Sequence, residues 1–216
     1  MKLIIAEKND AARQIAERLS TGKPKKDKVY NTAIYRFEWK GEECVTIGLA
    51  GHILAPDFCD SVLFDKKLGW YSVTEDGEIL PADIPDGLAR PPYDTKRKPF
   101  LADGISIKGW KLESLPYLTW APVIKLPAEK ELIRSLKNLA KKSDSVIIAT
   151  DFDREGELIG SDALNKVREV APDLPVARAQ YSSFTKAEIT QAFDNLVSLD
   201  QNPVSYTHLT LPTKLE

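Results

Sequence analysis

The chain opens on a wholly apolar run, Leu3-Ile4-Ile5-Ala6. A short run without polar alternation predicts a strand covered on both faces, as in a parallel sheet. Ala11, Ala12, Ile15, Ala16 and Leu19 follow at helical spacing, and Thr21-Gly22 with Pro24 ends that helix. Lys23 to Lys28 reads as a basic connector. From Tyr30 to Trp39 the residues alternate between two faces, one carrying Ile34 and Arg36, the other Tyr35, Phe37 and Trp39. That predicts a strand, Lys40-Gly41-Glu42 a turn, and Cys44 to Gly48 a second strand.

Between Pro56 and Pro127 helical periodicity is absent. Nine of the 14 prolines and three of the four tryptophans lie in this stretch, with basic spots at Lys96-Arg97-Lys98 and Lys108 to Lys111. Trp70, Trp110 and Trp120 need something to bury against, so the stretch reads as an ordered extended insertion with short strands. Regular texture returns with Leu132, Leu136 and Leu139 in a helix beginning near Ala128. Ser145 to Thr150 then reads as another buried strand, and Leu158, Ile159, Ala163, Leu164 and Val167 as a helix closed by Pro172. Val176 to Tyr181 predicts a strand. Thr185 to Leu199 predicts a helix whose start, Thr185 with Glu188 three residues on, has the form of a capping box. Residues 204–216 fit none of these patterns, resemble translated adapter sequence, and are expected to be foreign to the fold.

Hydrophobic residues make up 43 % of the 216 and charged residues 29 %, values that exclude a disordered or fibrous chain. Thirty basic residues stand against 32 acidic ones, so any nucleic-acid contact must use a local basic surface. Two cysteines, Cys44 and Cys59, form neither a disulfide framework nor a zinc cluster. No stretch approaches the ~18 apolar residues of a membrane span. The expectation is a soluble cytoplasmic α/β protein.

Candidate chemistry gathers at Thr150-Asp151-Phe152-Asp153-Arg154-Glu155-Gly156-Glu157, where a buried strand ends and a helix begins. Sites in open α/β sheets form beyond the carboxyl ends of strands. Four carboxylates within seven residues raise one another's pKa unless a cation compensates. Oxygen-only ligands suit a hard ion such as Mg²⁺. A structural role accounts for part of the pattern, because acids are favoured in a first helical turn and Asp153 has the position of an N-cap. It leaves Asp151 at the strand end and Gly156 inside the helix start unexplained. Glu7-Lys8 repeats the arrangement after the first strand. If the two strands are parallel neighbours, Glu7 meets the Asp151 group at one sheet edge, where one carboxylate can move protons while others hold metal.

Ile4-Ile5-Ala6-Glu7-Lys8 followed far downstream by Ala149 to Glu157 resembles the Toprim domain of type IA DNA topoisomerases, closest in texture to archaeal topoisomerase I and topoisomerase III. Gly51-His52-Ile53-Leu54 resembles that family's Gly-His segment. Arg178 to Phe193 resembles the stretch leaving Toprim for the next domain. The resemblance spans about residues 1–203, with the insertion matching least well.

It implies an α/β, Rossmann-like fold with a mainly parallel central sheet flanked by helices, plus the Pro/Trp-rich insertion. The Toprim domain would occupy 1–184 and the start of the next domain 185–203. The reaction implied is strand passage through a transient single-strand break, used to relax or decatenate DNA, with a tyrosine forming a 5′-phosphotyrosyl link. Asp151, Asp153 and Glu155 match the metal-binding acids, for Mg²⁺ or Mn²⁺. Glu7 matches the catalytic glutamate that handles the leaving 3′ oxygen and is counted with the metal ligands. Lys8 matches the lysine that steadies the scissile phosphate, and Arg154 stands beside it. Lys8, His52, Arg154 and Arg178 match positions near DNA. The implied partners are DNA, mainly its single-stranded segments, and the remaining domains of the same enzyme in a nucleoid-associated setting, with no membrane.

None of Tyr30, Tyr35, Tyr71, Tyr93, Tyr117, Tyr181 or Tyr206 lies in a stretch resembling the nucleophile's site. The expectation is an N-terminal part of a topoisomerase, inactive alone. A Toprim-type nuclease or primase-like enzyme using the same acids, and a non-enzymatic scaffold with inert acids, are the competing readings.

Overall fold

The computed structural model describes residues 1–58, 61–65, 69–73, 79–81, 104–106, 112 and 123–198. The chain divides into two compact units, residues 1–53 with 127–216 and residues 54–126.

A seven-stranded sheet organises the first unit. Its central strand is β1 (Lys2–Ala6), the opening apolar run, and four of its five residues are buried. Two parallel neighbours cover its edges, β4 (Glu42–Gly48) and β11 (Ser145–Ala149). Beyond β11 lie β12 (Val176–Arg178), parallel, and β13 (Val197–Ser198), antiparallel. On the other side β4 continues through β3 (Thr32–Trp39) to β2 (Lys25–Val29), each pair antiparallel. Lys40 and Gly41, both at positive φ, make the two-residue turn between β3 and β4.

Side chains on the sheet alternate between two packed faces. Ile4 and Ala6 share a cluster with Tyr35, Phe37 and Trp39, with α1 (Asn9–Leu19) through Ala12, Ile15 and Ala16, and with α4 (Lys186–Asp194) through Ile189 and Phe193. Trp39 meets Phe193 edge-on at 5.8 Å. Leu3 and Ile5 face the other side, where α2 (Lys130–Ala140) and α3 (Arg154–Arg168) bury Leu136, Leu139 and Ile159. Each fully buried Leu or Ile contributes roughly 1.5–3 kcal/mol. The parallel centre of the sheet, β12-β11-β1-β4, with helices on both faces is the expected α/β architecture.

Three boundaries differ from the sequence expectations. Lys25–Val29, expected as part of a connector, is an edge strand; four of its five residues are exposed, so hydrophobic patterning could not reveal it. α4 stops at Asp194 instead of Leu199, because Asn195 leaves the helical region at φ −121° and ψ 53°. The chain then returns to the sheet as β13. The strand expected over Val176–Tyr181 ends at Arg178.

In the second unit, β6 (Ser61–Asp65), β7 (Gly69–Val73), β8 (Ile79–Pro81) and β9 (Gly104–Ser106) form an antiparallel sheet of order β8-β7-β6-β9. β5 (Leu54–Phe58) pairs with β10 (Val123–Pro127). The Trp70 side chain, Trp110, Trp120, Cys59, Lys96 to Lys98, Lys108 to Lys111 and the 204–216 tail lie outside the described residues. Among the described residues, no helix is long and apolar enough to cross a membrane.

Candidate functional site

Ala6 lies opposite Ala149 in the parallel pairing of β1 with β11. The two chains therefore leave the sheet side by side, Glu7 from one and Thr150-Asp151 from the other. Glu7 is only 6 % exposed. The ammonium of the exposed Lys8 lies 3.0 Å from its Oε1. The hydrogen bond to Glu7, then the charges of Glu7, Asp151 and Glu155, hold the Lys8 pKa above its ordinary value. Across the sheet edge, Asp151 is half-buried. Burial pushes its carboxyl pKa up, the negative charges of Glu7 and Asp153 add to the rise, and Lys8 opposes it.

Asp153 is the N-cap of α3, its Oδ1 accepting the Gly156 N–H at 2.7 Å. The helix-cap role and a ligand role are compatible, since a carboxylate has two oxygens. Arg154 and Glu155 are exposed in the first turn. A Cβ on Gly156 would stand 2.1 Å from the Asp151 carbonyl oxygen, so the helix start closes over Asp151 only with glycine there. The chain after β4 is tied to the same edge, with Leu49 N–H donating to Ala6 O at 2.9 Å and Gly51 N–H to Glu7 O at 3.2 Å. This brings His52 Nε2 to 3.7 Å from Glu155 Oε1.

Arg178 lies beneath the cluster. It is 3 % exposed, with Nη2 2.7 Å from Glu157 Oε1 and 3.2 Å from the Asp151 carbonyl, and Nη1 3.3 Å from Thr150 Oγ1. Thr150 Oγ1 in turn donates to Gly156 O at 2.7 Å. Tyr181, 5 % exposed, donates its hydroxyl to Ala149 O at 2.7 Å, and burial pushes its pKa up, keeping it a protonated donor.

The structure thus brings Glu7, Lys8 and Asp151 together, with Asp153 beside them, His52 beside Glu155, and Arg178 below. Among the described residues, no group of three or more His, Cys, Asp or Glu side chains is gathered closely enough to hold an ion. The donor chemistry fits a hard divalent cation. The donors are carboxylate oxygens, and the charges of Glu7 and Asp153, which add to the effect of burial on Asp151, are what such a cation offsets. The sequence places Thr150 and Glu157 in the acidic turn without revealing their contacts with Arg178, and gives Tyr181 no part in the site. The Arg178 contacts depend on β12 lying against β11, a long-range pairing that no local pattern encodes.

Comparison with known proteins agrees with this geometry. A Toprim domain model matches residues 2–184. Over 199 residues the chain is 30 % identical to DNA topoisomerase 1 of Thermoplasma acidophilum, covering 92 % of this chain and 20 % of that protein. Identity to DNA topoisomerase 1 of Methanocaldococcus jannaschii is 31 % over 200 residues, again 92 % of this chain and 20 % of the relative. Human DNA topoisomerase 3-alpha is 26 % identical over 205 residues, 92 % of this chain and 16 % of the relative. The chain therefore spans a fifth or less of the length of these relatives. With one family model running from the first strand through the acidic turn to Phe184, the chain belongs to the Toprim domain family.

Proposed function

We propose that this chain is the Toprim part of a type IA DNA topoisomerase, supplying the metal-binding acids and the proton-handling glutamate for reversible single-strand cleavage. The observation that carries this reading is the pairing of Ala6 with Ala149, which sets Glu7 beside Asp151. Asp151, Asp153 and Glu155, with Glu7, would hold Mg²⁺ or Mn²⁺. When bound, the ion would offset charge on the scissile phosphate and support religation. A tyrosine from another segment of the enzyme attacks the phosphorus, and the bond to the 3′ oxygen breaks. Glu7 delivers a proton to that oxygen, and accepts it back when the 3′ hydroxyl reseals the strand. Lys8, exposed and charged, exchanges its contact with Glu7 for a phosphate oxygen, with Arg154 beside it. His52 supports the DNA side through Glu155. DNA is the substrate, engaged mainly through phosphates and single-stranded segments.

Thermal unfolding of the 216-residue chain is expected to rise with MgCl₂, and the rise to vanish in Asp151→Asn/Asp153→Asn. A parent chain whose melting ignores Mg²⁺ and Mn²⁺ would overturn the metal assignment. Supercoiled plasmid incubated with the chain and either ion is expected to stay intact. Nicking that Asp151→Asn abolishes would replace the topoisomerase reading with a Toprim nuclease.

A further inference from the structure

We propose that the edge strand β2, with the Tyr30–Arg134 pair at its end, is an accessory phosphate-contacting strip that continues a nucleic-acid path away from the acidic site. The choice of nucleic acid as partner rests on the function proposed above; the surface itself stands on separate residues.

Lys23, Lys25, Lys26 and Lys28 are all exposed, and among the described residues none of them forms an ion pair. The one acid on the strand, Asp27, is already engaged by Arg36 Nε at 3.2 Å. Four lysines against one aspartate give the segment a local charge of +3 in a chain of net −2. Other lysines of this unit are paired, Lys2 with Glu42, Lys40 with Asp194, and Lys137 and Lys166 with Glu169.

Register puts one end of the strip, Lys28, at the functional end of the sheet, with Lys26 and Lys25 in the rows of Ile4 and Leu3. Ala6 pairs with Gly48, Ile47 with Ile34, and Ala33, the residue before Ile34, with Lys28. Lys28 therefore stands in the row of Ala6, one residue short of Glu7 and three strands away. At ~4.8 Å per strand that is ~14 Å, about four nucleotides at the ~3.4 Å per nucleotide of a duplex strand. Past Lys28 the chain turns through Tyr30, whose half-exposed ring carries the Arg134 guanidinium 4.1 Å from its centroid. Ser135 Oγ, 2.9 Å from Val29 O, fastens α2 to this turn. A cation stacked on an aromatic ring and flanked by free ammonium groups can contact phosphate and base together.

Lysines also guard sheet edges against pairing with other chains. That role needs no particular end of the sheet, which makes the two roles separable. Lys26→Gln/Lys28→Gln would be compared with Lys141→Gln/Lys142→Gln, which removes the same charge from exposed lysines near Met1 at the opposite end of the sheet. Anisotropy of a labelled oligothymidylate would be followed against salt, in EDTA so that the acids' metal plays no part. Each lost phosphate contact lowers the salt slope by ~0.7 on single strands. The β2 pair should lose about 1.4 in slope and on the order of tens of fold in affinity at 50 mM salt, while the distal pair stays near parent. Equal losses in both pairs, no loss in the β2 pair, or no binding by the parent overturns the proposal. The same comparison in an Asp151→Asn/Asp153→Asn background should give the same difference, so inert acids would sink the metal site without sinking the strip.

Discussion

Replacing Arg178 with alanine separates a buried brace from a DNA-contacting cation. The wild-type guanidinium reaches Glu157, Thr150 and the Asp151 carbonyl while only 3 % exposed. Removing one partner of a buried ion pair costs about 3–5 kcal/mol. Two features lower that figure here. Glu157 keeps 33 % of its side chain in water and can be rehydrated, and Arg178 Nε has no hydrogen-bond partner among the described residues, so the parent already carries a desolvation cost. About 3 kcal/mol is the resulting expectation, which in a domain of this size lowers Tm by roughly 6–12 °C. Urea unfolding should show a lower midpoint at unchanged m. Arg178→Lys keeps the charge but not the fork that spans three partners, and should recover part of the loss. Amide exchange from Asp151 to Gly156 should quicken in Arg178→Ala more than exchange in β1. An Arg178→Ala chain that melts within ~2 °C of the parent yet binds DNA more weakly would refute the brace and return Arg178 to the DNA surface.

Three further outcomes follow from the same geometry. Because the folded-state pKa of Asp151 is raised, ionising it costs native stability; Asp151→Asn should melt higher than the parent at pH 7, and the gain should disappear as pH falls below the ordinary carboxyl value of 3.8. Gly156→Ala places a Cβ 2.1 Å from a backbone oxygen that cannot rotate away; a loss of about 1–3 kcal/mol or more is expected by urea titration, with loss of the Mg²⁺-induced rise in Tm. Thr185→Ala removes the acceptor for the Glu188 N–H at 3.3 Å and should cost about 1 kcal/mol, read as a small drop in urea midpoint with Mg²⁺ response intact.

Local rules made the sheet's centre and the acidic turn legible. Leu3–Ala6 and Val146–Ala149 are apolar on both faces because helices cover both, so an unbroken apolar run is the right signal. Thr185 caps α4 by accepting the Glu188 N–H, as the Thr-to-Glu spacing implies. The carboxylate of Glu188, however, accepts from the Ser183 N–H at 3.0 Å, not from the N–H of Thr185. Legibility failed wherever a residue's role depends on a partner far along the chain. β2 buries almost nothing and exists because its backbone pairs with β3. The contacts of Arg178 with Glu157 and Thr150 likewise rest on the packing of β12 against β11.

The acids are brought together by backbone, not by attraction among themselves. Their charges repel, adding to the burial that raises the Asp151 carboxyl. What overrides the repulsion is a pair of close approaches at two strand ends. A Cβ on Gly48 would lie 2.3 Å from Asn9 Cα, so α1 starts directly against the end of β4 and draws Glu7 and Lys8 down onto the sheet edge. Gly156 lets α3 start against the Asp151 carbonyl in the same way. Behind both turns stand residues that are wholly buried, Ile4, Ile5, Ile147 and Ile148 among them, each contributing roughly 1.5–3 kcal/mol. Repulsion between partly solvated carboxylates is small beside that sum, so the core can hold an arrangement of charges that would disperse if the turns were free. A cation bound there would then strengthen a site already in place, which is why Mg²⁺ is expected to raise the melting temperature and not to be required for folding.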